Sequence, residues 1–266
     1  MAQNQYLNYL SKINSGFIHP KGEASTDILL SELDIKENET ILELGFGTGS
    51  TLIKILTLTK KVKLYGLEKS PLMLKKALAR LRFCGVKDCV NLNLLNIDNS
   101  IPFESNFFDK IYVESVLSIQ EGEDLVSMLS ELSRVLKTNG VLCINELLWS
   151  PNTDQDKINS VNAFVKEKFG IIQANGKYKS IEDWLNLMES RDFRIKISKN
   201  ISNIPMKRSF KTRLLEIRSL FFSILGKIKR RVNSKLKKES IGYDNAMSLL
   251  NKDYKLEPYL IVAYKK

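Results

Sequence analysis

Three glycines on alternate positions, Gly45, Gly47 and Gly49, follow an apolar run, Thr40-Ile41-Leu42-Glu43-Leu44, and precede Ser50-Thr51-Leu52-Ile53-Lys54-Ile55-Leu56. One carboxylate, Glu43, stands two residues before the first glycine, and another, Glu68, stands nineteen residues after the last. The chemistry open to this set is ligand binding on bare backbone. Glycine permits a positive φ and close approach without steric cost. A helix that starts there adds unpaired N–H groups and a partial positive charge, which suits the polar or anionic end of a nucleotide-like ligand. A carboxylate about 20 residues further on can accept from both hydroxyls of a ribose. A Walker phosphate loop is excluded, because no Lys follows Gly49, and the dinucleotide spacing G-x-G-x-x-G fails because the third glycine comes one residue early. The alternatives are a glycine turn with no ligand and a solvated Glu68. The single histidine, His19, lies in Phe17-Ile18-His19-Pro20-Lys21-Gly22, where Pro20 and Gly22 mark a loop. Its unperturbed pKa near ~6.5 suits a base or a polar contact; a loop histidine without chemistry is the alternative.

These residues need elements to place them. The run before the glycines has the length and composition of a buried strand, and the stretch after them has a helical apolar face. Residues 25–33 form an amphipathic pattern with Ser25 or Thr26 near its cap. Val62–Glu68 is the second strand, and Ser70 with Pro71 opens the next helix. Cys89–Asn96 and Lys110–Leu117 are the third and fourth strands. Glu114 and Ser115 fall at the carboxyl end of the fourth, where ligands of open α/β sheets bind; capping of the following loop is the alternative. A helix over 124–137 ends where Gly140 can take the left-handed position. Val141–Asn145 is the fifth strand, Ser180 opens a further helix, and Phe193–Ser198 and Pro258–Tyr264 are the last two strands.

Taken in order, several of these stretches resemble the motifs of class I S-adenosyl-L-methionine-dependent methyltransferases. E-L-G-F-G-T-G at 43–49 resembles the first motif, acidic-x-G-x-G-x-G. E-K-S-P-L-M-L at 68–74 resembles the second, D-x-S-P-x-M-L, and I-P-F-E-S-N-F-F-D at 101–109 and E-L-S-R-V-L-K-T-N-G at 131–140 resemble two later stretches. His19-Pro20-Lys21-Gly22 followed by Thr26 resembles a stretch of some small-molecule members, whose leading segment folds over the cofactor, which implies His19 as the candidate catalytic residue. The resemblance covers roughly residues 17 to 149. It implies an α/β, Rossmann-like seven-stranded mostly parallel sheet (the class I methyltransferase fold) with helical insertions, the last strand antiparallel beside the sixth. It implies S-adenosyl-L-methionine as cofactor, contacted by Glu43, Gly45, Gly47, Gly49, Glu68, Lys69, Asp98 and Glu114, and no metal. The gapless match for the adenine-contacting acid is Ile97, so Asp98 requires a one-residue deletion and Asn96 is its rival. The implied reaction is methyl transfer to a small or lipophilic organic acceptor. The Asn/Asp-Pro-Pro-Tyr motif of enzymes that methylate base amines is missing from Tyr112 to Ser118, which disfavours the exocyclic amines of nucleic-acid bases as acceptors. The other readings are an RNA methyltransferase and a methyltransferase-like binding protein without turnover.

The 266 residues suit one domain: a cover segment at 1–39, a binding core at 40–149, an active-site insertion at 150–180 and a basic helical insertion at 199–257. The N-terminus lacks a signal-peptide pattern, and the three cysteines form no C-x-x-C pair, so a cytoplasmic protein with reduced thiols is expected. The net charge is +11, and twelve basic residues against one acidic residue, Glu216, lie between Lys207 and Lys238, leaving the rest formally neutral. In that segment Leu214, Ile217, Phe221, Ile224, Leu225, Ile228, Val232 and Leu236 recur at helical spacing, with a break expected at Gly226. The segment either rests on an anionic membrane surface, covers the domain's own core or, less in keeping with its aromatics, binds nucleic acid.

Overall fold

Strand β1 (Thr40–Leu44) is buried at every residue, as a continuous apolar run in a parallel sheet demands. The computed structural model describes residues 5–96, 98, 100–205, 213–250 and 254–266. Around β1 the chain builds β2 (Lys63–Glu68), β3 (Val90–Leu94), β4 (Phe108–Glu114), β5 (Leu136–Trp149), β6 (Phe193–Asn200) and β7 (Leu256–Lys265). The seven strands are ordered β3-β2-β1-β4-β5-β7-β6. β7 runs antiparallel to both β5 and β6, and every other pair is parallel. This is the sheet that the motifs imply, down to the final antiparallel strand.

Alternation along the strands sends side chains to two cores. Ile41 and Tyr112 face α2 (Glu23–Leu33), α3 (Ser50–Leu58) and α4 (Pro71–Cys84). Leu42, Leu44, Ile111 and Val113 face α5 (Gly122–Val135) and α7 (Ile181–Glu189), where Trp184 is fully buried. Burying each such aliphatic side chain contributes roughly 1.5–3 kcal/mol. The remaining helices, α1 (Gln5–Lys12), α6 (Gln155–Phe169), α8 (Leu214–Val232) and α9 (Ser234–Leu249), lie outside these layers. α8 packs on α3 and α4.

Four local expectations need correction. Ser25 and Thr26 do not cap α2; Gly22 does, and both hydroxyls are buried inside the helix. The helix expected over 124–137 ends at Val135, and Leu136 is already extended as the first residue of β5, so no left-handed cap falls at Gly140; the positive φ, +61°, is at Asn139 within β5, and Gly140 packs where a Cβ would meet Leu136 and Lys137 at 2.8 Å. Gly226 does not break α8. The break is at Asn233, whose side chain caps α9 by accepting from Leu236 N–H, so Leu236 leaves the apolar stripe and is buried. Of the basic segment, Lys207, Arg208 and Lys211 lie outside the described residues.

Candidate active site

At the carboxyl end of β1 the chain turns through Gly45, Gly47 and Gly49 with φ of +77°, +50° and +79°. Each position excludes a side chain for its own reason. A Cβ on Gly45 would meet Val116 at 2.2 Å, and one on Gly49 would meet Ala77 at 3.2 Å, whereas one on Gly47 would meet nothing and point into open space. The turn is thus packed from behind and bare in front. Glu68, at the end of β2, locks it: Gly47 N–H donates to Oε2 at 2.9 Å and Ser70 N–H to Oε1 at 2.9 Å. Burial pushes the Glu68 carboxyl above its usual range, against the pull of the N–H donors of Ser70, Gly47 and Lys69.

Behind the turn stands Arg80 of α4, only 1% exposed. Its Nε donates to Thr48 O at 2.8 Å, one terminal nitrogen to Ser219 O at 2.8 Å, and the other to Asn14 O at 3.0 Å and Thr48 Oγ1 at 3.1 Å. One guanidinium therefore ties together the glycine turn, the N-terminal cover and α8. Burial lowers its pKa to about 10.

A second polar cluster closes the carboxyl end of β4. Glu114 accepts from Thr26 Oγ1 at 3.0 Å, Thr51 Oγ1 at 3.0 Å and Asn145 Nδ2 at 3.4 Å. His19 Nε2 lies 3.2 Å from Glu114 Oε2 and 3.1 Å from Thr26 Oγ1, while Nδ1 lies 3.2 Å from Ser25 Oγ. Beside this cluster, Ser115 has φ +56°, an uncommon backbone state for a residue with a side chain. Ser115 Oγ and Asn145 Oδ1 are buried and have no hydrogen-bond partner among the described residues. The loop beyond is held by Glu146, whose carboxylate accepts from the N–H groups of Val116, Leu117 and Ser118 at 3.0–3.1 Å.

The expected site residues thus divide. Gly45, Gly47, Gly49 and Glu68 form one surface, and His19 and Glu114 form another at the neighbouring strand end. Glu43 lies beneath, buried between β1 and β4, and accepts from Tyr112 Oη at 2.6 Å. Burial, opposed by that hydrogen bond and reinforced by Glu114 and Glu68, holds its carboxyl well above the usual range. Lys69 is exposed. Asp98 is also exposed, its Oδ1 taken by Ser100 N–H at 3.0 Å and Ser100 Oγ at 2.7 Å, while Asn96 donates to the same hydroxyl at 2.9 Å. Asp109 serves the sheet, accepting from Thr40 N–H and Lys137 Nζ. Sequence reasoning missed Arg80, Thr26, Thr51, Asn145 and Glu146. Arg80 and Glu146 carried a signal, each being a charged residue on a face that otherwise reads apolar.

A model of a methyltransferase domain matches residues 35–192, more than half of the chain. The chain belongs to the methyltransferase-domain family. Among the relatives of this methyltransferase domain is the uncharacterized methyltransferase YodH of Bacillus subtilis (strain 168), 33% identical over 139 residues, which are 52% of this chain and 56% of that protein. The matched stretch thus spans little more than half of that relative's length. The structure of the cyclase SpnF covers 98% of this chain and 94% of its own, at 16% identity and a TM-score of 0.68. A geranyl diphosphate C-methyltransferase from Streptomyces coelicolor A3(2), in complex with Mg2+, geranyl diphosphate and S-adenosyl-L-homocysteine, covers 91% of this chain and 79% of its own, at 15% identity and a TM-score of 0.62. At such identities these two show the fold alone.

The residues present fit the cofactor of the family. Gly47 opens a cradle free of side chains, and the Glu68 carboxylate, whose two oxygens offer about four acceptor sites against the N–H groups of Ser70, Gly47 and Lys69, keeps acceptor capacity for a hydroxyl. The orphaned Ser115 Oγ and Asn145 Oδ1 add buried polar atoms at the same end of the sheet. No group of His, Cys, Asp and Glu among the described residues is arranged to hold a metal ion.

Proposed function

We propose that this chain transfers a methyl group from S-adenosyl-L-methionine to a small or lipophilic organic acceptor. The observation that carries the proposal is the open Gly47 cradle with its amide bonded to Glu68 at 2.9 Å. When bound, the cofactor supplies a methyl group already activated on a sulfonium. The protein's part is then chiefly to hold donor and acceptor in line, and orientation of this kind can supply ~7–11 kcal/mol. Gly45 to Gly49 and the N-terminus of α3 would hold the polar amino-acid end, Glu68 the ribose hydroxyls, and Asn96 or Asp98 the adenine edge. Glu146 fixes the 115–118 loop, and His19 draws the N-terminal cover onto Glu114, which narrows the access of water to that end of the sheet. A small acceptor is supported by the fold's likeness to an enzyme seen with geranyl diphosphate.

Titration calorimetry tests the reading. Wild type is expected to bind S-adenosyl-L-methionine and its demethylated product in the micromolar range. Charge-assisted hydrogen bonds contribute ~1.5–3 kcal/mol each, so loss of two through Glu68→Ala should weaken binding by roughly a hundredfold or more. No heat with wild type, or equal affinity in the variant, overturns the cofactor assignment.

A further inference from the structure

Helix α8 is mounted the wrong way round for a surface helix. Such a helix normally turns its large apolar residues inward. Here Leu214, Ile217, Phe221, Ile228 and Val232 are 64%, 50%, 50%, 49% and 78% exposed. The buried residues of α8 are the small ones, Ser219 and Gly226. Ser219 is held by Arg80 through its carbonyl at 2.8 Å and its hydroxyl at 2.9 Å. At Gly226 the helix lies so close to the N-terminal segment that a Cβ would fall 1.8 Å from Ile13 O. The inner face is therefore already occupied, and the apolar stripe cannot be serving the domain's own core.

The charges around the stripe indicate what covers it. With 3.6 residues per turn, Arg218 and Lys229 fall along one side of the stripe and Lys227 and Arg231 along the other. All four are exposed. The single acidic residue of the helix, Glu216, turns away from the stripe: it accepts from Arg213 N–H at 2.9 Å and lies 4.0 Å from Lys54. α4 extends the surface. Its Phe83, 42% exposed, stacks on Phe221 at 6.1 Å, and burial followed by the charges of Lys229 and Lys75 lowers the pKa of Lys76. An apolar stripe between two cationic rows is the pattern of a helix lying in a membrane interface. A twofold contact with a second copy would instead bring the like-charged rows together. Single-stranded nucleic acid wants several exposed rings among the charges, but Phe222 is turned inward beneath Arg80, 5.0 Å from its centroid.

We propose that α8 docks the protein in plane on an anionic lipid bilayer, with the Leu214–Val232 stripe in the headgroup–acyl boundary and the flanking lysines and arginines on lipid phosphates. Spanning is not involved, since no helix among the described residues is long and apolar enough to cross a membrane. The inference stands apart from methyl transfer and uses no residue of the glycine turn.

The test is co-sedimentation of the full chain with vesicles of phosphatidylcholine alone and of phosphatidylcholine with about 30% phosphatidylglycerol, enough for a strong surface charge. Partitioning onto the anionic vesicles is expected to exceed that onto neutral ones by at least about tenfold and to fall steeply with salt. The double variant Phe221→Ser/Ile228→Ser and the charge variant Lys229→Glu/Arg231→Glu are each expected to lose about tenfold or more. Both change exposed residues, so circular dichroism and S-adenosyl-L-methionine calorimetry should match wild type. No anionic binding, equal binding to neutral vesicles, or undiminished binding by the charge variant overturns the proposal. So does a dimer that the Ser variant abolishes while vesicles stay unbound, which would assign the stripe to a second copy, or retention of RNA without vesicles.

Discussion

His19 Nε2 lies 3.2 Å from Glu114 Oε2, with both side chains only 5% exposed. The pair joins the N-terminal cover to the end of β4, 95 positions apart in the chain (114 against 19). Both ring nitrogens are engaged inside the protein, by Glu114 and Thr26 on one side and Ser25 on the other. That geometry suits a positioning residue better than a base. His19→Ala removes contacts worth ~1.5–3 kcal/mol and is expected to lower the melting temperature by several degrees. His19→Gln can keep a polar atom toward Glu114 and should recover most of the stability and of the turnover with any accepted substrate. Turnover lost equally in both variants, at unchanged stability, would return His19 to the role of base.

Arg80 offers a test of how the cover, the turn and α8 depend on one another. Arg80→Met keeps the apolar bulk but leaves the carbonyls of Thr48 and Asn14 without the guanidinium donor and Ser219 O with only the Ser223 hydroxyl among its side-chain donors. A buried unsatisfied acceptor costs ~1–3 kcal/mol, so a total near ~3 kcal/mol or more is expected in denaturant unfolding, with weaker S-adenosyl-L-methionine binding as Thr48 shifts. Arg80→Lys should not rescue, because an ammonium lacks the planar fork. Wild-type affinity and stability in the Met variant would show that the three segments hold without the guanidinium.

The fold and the glycine turn were legible because backbone requirements write themselves into residue types. Only glycine suits three positive-φ positions of which two are packed from behind, and a proline-started helix after Glu68 sets that carboxylate at the strand end. The Glu114 cluster was legible only in part. Thr26, Thr51 and Asn145 come from three separate elements, and nothing local in a threonine on an amphipathic helix says that it faces a carboxylate 88 residues away. The spacing in α8 revealed an apolar stripe but not its outward direction. Direction depends on Ser219 and Gly226, small residues whose partners, Arg80 and Ile13, lie more than a hundred positions earlier.

Glu43 makes a pH signature. Its folded-state pKa is raised by burial, with Glu114 and Glu68 adding to it, above an unfolded value near ~4.3. The folded protein then binds more protons than the unfolded chain in the window above ~4.3, so this group's contribution to stability falls as pH rises until the folded pKa is passed. Glu43→Gln removes that term and can still accept from Tyr112. The melting temperature of the variant relative to wild type is therefore expected to move upward from pH 5 to pH 8. A difference that is flat or moves downward would mean that Glu43 titrates as an ordinary carboxylate.

Gly226 reverses the usual effect of an alanine in a helix. At an exposed helical site Gly→Ala stabilises by roughly 0.8–1 kcal/mol. Here the added Cβ would stand 1.8 Å from Ile13 O and 2.8 Å from Asn14 Cβ, and the first obstacle is backbone, which cannot swing aside as a flexible side chain would. Either α8 or the 13–14 segment must move. Asn14 O accepts from Arg80, and Asn14 Nδ2 donates to Phe222 O at 3.1 Å, so the displacement strains contacts on both sides. Gly226→Ala is expected to destabilise by ~1–3 kcal/mol, the usual range for overpacking. It should also speed amide exchange in α8 and at the end of α1 while leaving β1 and β4 protected. Hydrogen exchange read by mass spectrometry checks this. A variant more stable than wild type, with α8 exchange unchanged, would show that the close crossing at Ile13 is not what seats the helix.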